Sequence, residues 1–403
     1  LFVLPDPYSL NLRHLRAAAI VARSGTLVAA ADQVGISQPA LTAAIAGLEQ
    51  RLLPLFVRTR AGMRANEAGL ILAGRVEEAF AHFGAGLRSG QRQRGFAEPE
   101  RLVTTSQLRA LLALADQGSF VGAAGTTGLS QPALHRSVRD IERLTGVPLI
   151  ERRGRRVALT PAGRRAARGF RLGLGALRAA LVELAALGGQ PAADQIRVGA
   201  MPLCRARLLP GAIADLLSER PATHVTVVEG AHRELIEQLR EGQIDLAIGA
   251  LRDPSPGADL EQEPVLIDRL AIVARGGHPL AGARAPSRAD LAACRWLVGL
   301  PGSPLRHHWE QLFAGGPAPD APIDCGSVMV LRGMLMEGDY LTLLSPEQIG
   351  VELRTGMLAL VGPPLEDHVR TIGVTSRTDW RPTATQERFV AILREQGSRI
   401  QVN

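Results

Sequence analysis

No lysine occurs among the 403 residues, so all 46 basic side chains are arginine. A total absence at this length reflects a GC-rich genome rather than chemistry, and function has to be read from where the arginines sit. Cysteine is scarce: Cys204, Cys294 and Cys325 are widely spaced, which suits free thiols in a reducing compartment better than a disulfide framework. No apolar stretch approaches the ~20 residues that cross a bilayer. Residues 1–8 hold Pro5 and Pro7 and no basic run of the kind that opens a secretion signal. A soluble cytoplasmic protein with no membrane partner is expected. Enzyme signatures are missing as well: there is no Gly-x-Ser-x-Gly elbow, P-loop or dinucleotide fingerprint, and His307-His308 lacks a third ligand at metal spacing. Neither catalysis, nor a cofactor, nor a metal is expected.

What the chain does have is a repeat. Ser37-Gln38-Pro39-Ala40-Leu41 recurs as Ser130-Gln131-Pro132-Ala133-Leu134. The flanks match too, with Leu15-Arg16-Ala17 answering Leu108-Arg109-Ala110, Gly25 answering Gly118, Gly35 answering Gly128, and Glu49 answering Glu142. Beyond that point the offset grows by one, because the first copy has lost a residue where the second has Thr145-Gly146. A repeat with matching flanks is one structural unit used twice.

In the second copy an apolar helical run, residues 108–115, stops at Gly118, and an Ala-rich helix follows Ser119 and ends near Gly128. Ser130 reads as an N-cap with Pro132 in the first turn. The next segment puts Leu134, Val138, Ile141 and Leu144 on one face and His135, Arg136 and Arg139 on the other. This is a helix-turn-helix with a basic outer surface. Pro148-Leu149-Ile150, an Arg-rich tip from Arg152 to Arg156, and Val157 to Thr160 then read as strand, turn and return strand, a wing suited to a phosphate backbone.

The run from Leu108 to Gly163, with Gly118-Ser119-Phe120, Leu129 to Leu134, Gly146-Val147-Pro148-Leu149 and Leu159-Thr160-Pro161-Ala162-Gly163, resembles the winged helix-turn-helix of LysR-type transcriptional regulators. The resemblance implies DNA contact through Ser130, Gln131, Pro132, His135, Arg136, Arg139, Arg152, Arg153, Arg155 and Arg156, with Gln131 placed to bond an adenine edge. The first copy, Leu12 to Gly69, resembles the same domain but carries Asn66-Glu67 where Thr-Pro normally ends the wing, and no basic residue from Thr42 to Gly47. Two roles stay open for it: packing or dimerisation, or weak DNA contact through Gln38, Thr42, Arg58 and Arg60.

Charge agrees with a double-stranded DNA partner. The chain carries a formal +7, and residues 99–165 alone hold 11 Arg against 5 acids, so binding should weaken steeply with salt. At this length several domains are expected: a divergent winged domain at 9–69, a helix and linker at 70–98, a second winged domain at 99–163, a linker helix at 164–189, and an α/β domain at 195–403. In the linker helix Phe170, Leu174, Leu177, Leu181 and Leu184 form a heptad-like seam, with Gly173 and Gly175 off it and weakening the helix. Such a seam packs either on its own chain or on a second subunit. The resemblance favours the second, a homo-oligomer (dimer or tetramer). A similar helix with Leu72, Val76, Phe80, Phe83 and Leu87 follows the first copy.

From Gln195 strands and helices alternate, calling for a parallel sheet with a ligand crevice at the strand ends. Two subdomains are expected, 195–268 with 370–403 and 269–369, joined by crossing strands into a hinged clamp. Leu208-Leu209-Pro210, the run Glu241 to Gly249, and His278-Pro279-Leu280 resemble the periplasmic-binding-protein-like effector domain of the same family. Met201-Pro202-Leu203 and Leu344 to Gln348 look most like its branch regulating sugar and aromatic-acid metabolism. The cleft is expected among Met201, Pro202, Arg205, Gly249, Ser303, Pro304, Arg306, Ser327 and Val328, with arginines and helix N-termini favouring an anionic effector or sugar acid. The resemblance also implies RNA polymerase as a partner. The alternatives are a periplasmic-type solute-binding protein, against which the winged helices stand, and a redox-sensing regulator using Cys204, against which a buried inert thiol is the favoured reading.

Overall fold

The computed structural model describes residues 5–59, 62–88, 96–154, 156–190 and 193–402. Its N-terminal half is built twice to one plan. The first copy runs α1 (Leu12–Ser24), α2 (Leu27–Val34), α3 (Gln38–Arg51), a hairpin of β1 (Phe56–Thr59) and β2 (Gly62–Ala65), and α4 (Glu67–Leu87). The second runs α5 (Thr105–Gln117), α6 (Phe120–Thr127), α7 (Gln131–Thr145), a hairpin of β3 (Ile150–Arg153) and β4 (Arg156–Leu159), and α8 (Pro161–Leu187).

The copies agree down to single hydrogen bonds. Ser37 and Ser130 cap the third helix of each, their hydroxyls accepting from the N–H of Ala40 and Ala133 at 3.4 Å. Glu49 Oε1 accepts from Leu55 and Phe56 N–H (2.7 and 3.1 Å), and Glu142 Oε1 from Leu149 and Ile150 N–H (2.8 and 3.4 Å). The paired glutamates thus satisfy backbone donors at the entry to each hairpin. The residue lost from the first copy is a helix stop: α7 ends on Gly146 at φ 72°, whereas α3 ends on Leu52 at φ −116°. Asn66, where the first copy departs from the family pattern, makes the two bonds that Thr160 makes. It donates to Pro54 O (2.8 Å) and caps Gly69 N–H (2.9 Å), as Thr160 does with Pro148 O (2.8 Å) and Gly163 N–H (3.0 Å).

The long helices α4 and α8 pack against each other, antiparallel, with Arg75 on Glu183 at one end and Gly86 on Gly169 at the other. Phe83 stands edge-on to Phe80 and Phe170, centroids 5.6 and 5.9 Å away. Phe170, Leu174, Leu177, Leu181 and Leu184 are all buried, in one core with Leu15, Leu72, Val76, Leu108 and Ile141. Each such side chain contributes about 1.5–3 kcal/mol when fully buried. This corrects the expectation of an intersubunit seam: these five residues are covered within the chain, because α4 supplies the partner face. Gly173 is corrected with them. It lies inside the contact, where a side chain would strike the Phe83 ring, while Gly175 faces open space.

The C-terminal half has two sheets. The first subdomain contains β5 (Gln195–Ala200), α9 (Leu208–Glu219), β6 (His224–Glu229), α10 (His232–Arg240), β7 (Leu246–Ala250) and β8 (Leu260–Arg269). The second contains β9 (Ala271–Arg275), α11 (Arg288–Ala292), β10 (Arg295–Val298), α12 (Pro304–Leu312), β11 (Ile323–Asp324), α13 (Val328–Glu337), β12 (Tyr340–Leu344), α14 (Gly350–Thr355) and β13 (Leu358–Leu360). The chain returns to the first on β14 (Val369–Arg377) and ends in α15 (Ala384–Val402). The sheet orders are β6-β5-β7-β14-β8 and β11-β10-β12-β9-β13. Neither sheet is wholly parallel as expected. β5, β6 and β7 run parallel, but β14 is antiparallel to both β7 and β8, because the chain leaves the first subdomain on β8 and re-enters it on β14.

Candidate functional site

The two third helices differ in what they offer to solvent. On α7, Gln131, Pro132, Arg136 and Arg139 are exposed. Neither arginine has an acid partner among the described residues, whereas Arg143 is paired with Asp140 on the same helix. Ser130 spends its hydroxyl oxygen on the cap. His135, expected on the outer face, is instead half-buried and stacked on Phe120, ring centroids 3.6 Å apart at 17°, because the ring gains more from that aromatic surface than from water. In the wing, Arg152 and Arg156 are exposed. The Arg153 backbone pairs with Arg156, and Arg155 lies outside the described residues.

On α3 the corresponding surface is Gln38, Pro39, Thr42, Ala43 and Ala46. The Thr42 hydroxyl donates to Gln38 O at 3.0 Å, so its donor is spent inside the helix. Arg58 is exposed on the first wing, and Arg60 lies outside the described residues.

A cleft of about 1030 Å³ opens between the C-terminal subdomains, lined by Leu251, Arg252, Gln262, Ser303, His308 and Arg370 among others. Gln262 holds the Arg252 backbone from both sides: its Oε1 accepts from Arg252 N–H (2.9 Å) and its Nε2 donates to Arg252 O (2.8 Å). The Arg252 guanidinium is left without an ion-pair or hydrogen-bond partner among the described residues. Arg370 donates to Asp268 Oδ2 through Nε (3.1 Å) and Nη2 (2.5 Å), and Asp268 accepts the Ser345 hydroxyl on its other oxygen. That buried carboxylate fastens both crossing strands to the end of β12. Beside it, His308 and His368 meet through their Nδ1 atoms at 3.2 Å. Burial first, then His368, Arg370 and His307, push the His308 imidazole down to about 4. Ser303 caps α12, accepting from Arg306 N–H at 3.3 Å, and Pro304 follows it.

Of the nine expected cleft residues, only Ser303 and Pro304 line this opening, with Gly249 one residue from its rim at Ala250. Met201 is buried against Gly249. Pro202 is exposed and opens a short 3-10 turn. Arg205 pairs with Glu229 inside the first subdomain. Arg306 turns away to Glu310 (2.9 Å) and Asp324 (2.6 Å) over the Trp309 ring. Ser327 caps α13, and Val328 packs on the core beneath it. The two subdomains meet on this side through Arg207 and Glu347 at 2.8 Å, and the larger opening lies near Leu251 and Arg252. Arg252 lies three residues past Gly249, which the sequence places at the cleft. Gln262 and Arg370 lie on strands, and nothing in their local sequence marks them.

Cys204 is 2% exposed, its thiol set against the carbonyls of Met201 (3.3 Å) and Ile248 (3.0 Å). Burial pushes it up to about 12, so the thiolate that redox chemistry needs is suppressed. Among the described residues no group of three or more His, Cys, Asp or Glu is placed to hold a metal, and no helix is long and apolar enough to cross a membrane.

Comparison with known proteins agrees with this layout. The LysR substrate binding domain matches residues 189–398. The bacterial regulatory helix-turn-helix protein, lysR family, matches twice, at 12–70 and 105–164. The HTH-type transcriptional regulator GalR of Pseudomonas putida is 31% identical over 389 residues, 96% of this chain and 97% of its own. The HTH-type transcriptional regulator PcaQ of Agrobacterium fabrum is 29% identical over 72% of this chain and 93% of its own. In fold the chain is similar to a full-length cysteine-to-aspartate variant of OxyR from Pseudomonas aeruginosa, with a TM-score of 0.56 at 23% identity, covering 72% of this chain and 93% of that one.

Proposed function

Given that the chain belongs to the LysR family of DNA-binding transcriptional regulators, we propose that its two winged helix-turn-helix heads divide the work, with the second head reading base edges. The observation that carries this is the pair of unpartnered, exposed arginines on α7, set against the uncharged outer face of α3. A bidentate arginine on a guanine, or Gln131 on an adenine, discriminates by about 1–3 kcal/mol. Arg152, Arg153, Arg155 and Arg156 of the wing add phosphate contacts.

The C-terminal half acts as a two-subdomain clamp, like a periplasmic binding protein, on a small organic anion such as an aromatic or sugar acid. Arg252 offers the anion its free guanidinium, and the Ser303-capped, positive end of the α12 dipole lines the same space. Closure of the clamp biases one arrangement of the heads over another and so alters operator fit. Contact with RNA polymerase follows from the regulatory role, and any homo-oligomer forms through a surface other than the α8 seam.

The test is a gel-shift series on duplexes selected from a random pool by the full-length protein. Replacing Arg136 and Arg139 by Ala should cut the preference for selected over random duplexes at least about tenfold. Undiminished discrimination would remove α7 from base reading.

A further inference from the structure

We infer that a single chain forms the complete two-headed DNA-binding unit, the first head standing where a second subunit's head would stand and holding DNA chiefly through phosphate contacts. The inference rests on the reading of α7 as the base-reading helix for its second part, and on the packing of α4 and α8 for its first.

The α4–α8 contact leaves no apolar seam for another helix. Phe170 and Leu177 are 0% and 1% exposed, and across from them Phe83 is 0% exposed. At Gly86 and Gly169 the two backbones touch: a Cβ on Gly169 would lie 2.9 Å from the Gly86 Cα and 2.5 Å from His82 O. Buried charge closes the other end. Arg75, 4% exposed, donates to Glu183 and Glu78 and, through Nη1, to Arg381 O at 2.9 Å, tying both long helices to the C-terminal half. The segment that precedes the first head reaches the second, with the Arg109 guanidinium 5.5 Å above the Tyr8 ring. Because the pair is antiparallel and each long helix starts at its own head, the heads sit at opposite ends of the pair. That is a two-headed unit assembled from one polypeptide.

The unit is chemically lopsided. On the first head the outer face of α3 carries no charge, and the Thr42 donor is spent on Gln38 O. Its wing nevertheless keeps Arg58 and Arg64 exposed, neither with an acid partner among the described residues. Cations beside a helix whose one exposed base-reading amide is Gln38 give affinity with little sequence discrimination. The operator should therefore contain one specified half-site, flanked on one side by DNA protected whatever its sequence.

The connector at 88–98 is long enough to let the same helix faces pair between two chains by exchange, so the test separates the two arrangements. Ala85 and Arg165 are exposed and flank the helix crossing without entering the seam. A full-length chain carrying both Ala85→Cys and Arg165→Cys, treated with a short bismaleimide, should give an 85–165 cross-link at the mass of one chain. Two co-expressed full-length chains, one with each substitution, should give none. A two-chain 85–165 product, or no 85–165 product in the double variant, overturns the single-chain unit whatever the DNA assays give. In parallel, the full-length Arg58→Ala, Arg64→Ala variant should bind selected and random duplexes more weakly by the same factor. Its slope of log affinity against log salt should be shallower by about 1.8, about 0.9 for each phosphate no longer neutralised. Loss of discrimination in that variant overturns the phosphate role of the first wing, while undiminished discrimination in the Arg136, Arg139 variant overturns the reading of α7 instead.

Discussion

Replacing Gly173 and Gly175 by alanine, one at a time, should move stability in opposite directions. Both glycines lie inside α8, where an alanine is worth about 0.8–1.0 kcal/mol over glycine from helix propensity alone. A methyl at Gly175 meets nothing within 4 Å, so that variant should collect the whole gain. At Gly173 the same methyl would lie 2.3 Å from Phe83 Cε1 and 2.8 Å from Ala79 O. Phe83 is fully buried between Phe80 and Phe170 and has no free direction to turn, so α8 must back away from α4. Overpacking of this kind costs about 1–3 kcal/mol. The net for Gly173→Ala is then between nearly neutral and a loss of about 2 kcal/mol, a gap of about 1–3 kcal/mol between the two variants. Denaturant unfolding followed by far-UV circular dichroism reads it, and tryptophan fluorescence supplies a control, since Trp296, Trp309 and Trp380 all lie in the C-terminal half. If Gly173→Ala stabilises as much as Gly175→Ala, the two helices are not in contact there and the internal pairing fails.

The cleft and its histidines make two more predictions. Arg252→Ala should weaken calorimetric binding of an aromatic or sugar acid about 10- to 150-fold, the range for losing a charged hydrogen bond of about 1.5–3 kcal/mol, and Ser303→Trp should weaken it by crowding the cleft at the start of α12 and removing the cap; unchanged binding in both would place the ligand elsewhere. His308, held near 4 when folded against about 6.5 unfolded, refuses a proton that the unfolded chain accepts, so stability is highest above pH 6.5 and falls as pH drops towards 4; His308→Gln should flatten that limb in thermal melts across this range, and an unaltered limb would refute the assignment.

The duplication was legible because it is written in residues with fixed local jobs. Ser37 and Ser130 cap, Glu49 and Glu142 satisfy hairpin donors, and such roles admit few substitutes. Where a substitute exists, the sequence misled: Asn66 looks like a departure, yet its amide supplies the acceptor and donor that Thr160 supplies. β8 is hard to read for a different reason. Its ten residues include three acids and Pro264, a poor strand composition, but the proline sits opposite Gly373 where the β14 register shifts, so the missing N–H breaks no ladder bond. The cleft residues were the least legible. Arg306 and Arg205 are as basic as Arg252, and only the positions of Asp324, Glu310 and Glu229 decide which guanidinium is left free.

The α8 seam shows most clearly what periodicity contains. A heptad-like spacing of Phe170, Leu174, Leu177, Leu181 and Leu184 states which face of a helix must be covered and nothing about whose chain covers it. In a chain with one winged head and one long helix, the cover has to come from a second molecule. Here a second apolar helix, with Leu72, Val76, Phe83 and Leu87 buried on its face, stands in the same polypeptide, joined to the next head by a short connector. At the effective concentration such a connector imposes, commonly millimolar, the internal partner outcompetes an external one until the external concentration approaches that value. The repeat that announces the fold therefore also decides the pairing: duplicating a head together with its helix supplies, within one chain, the surface that a single copy must borrow.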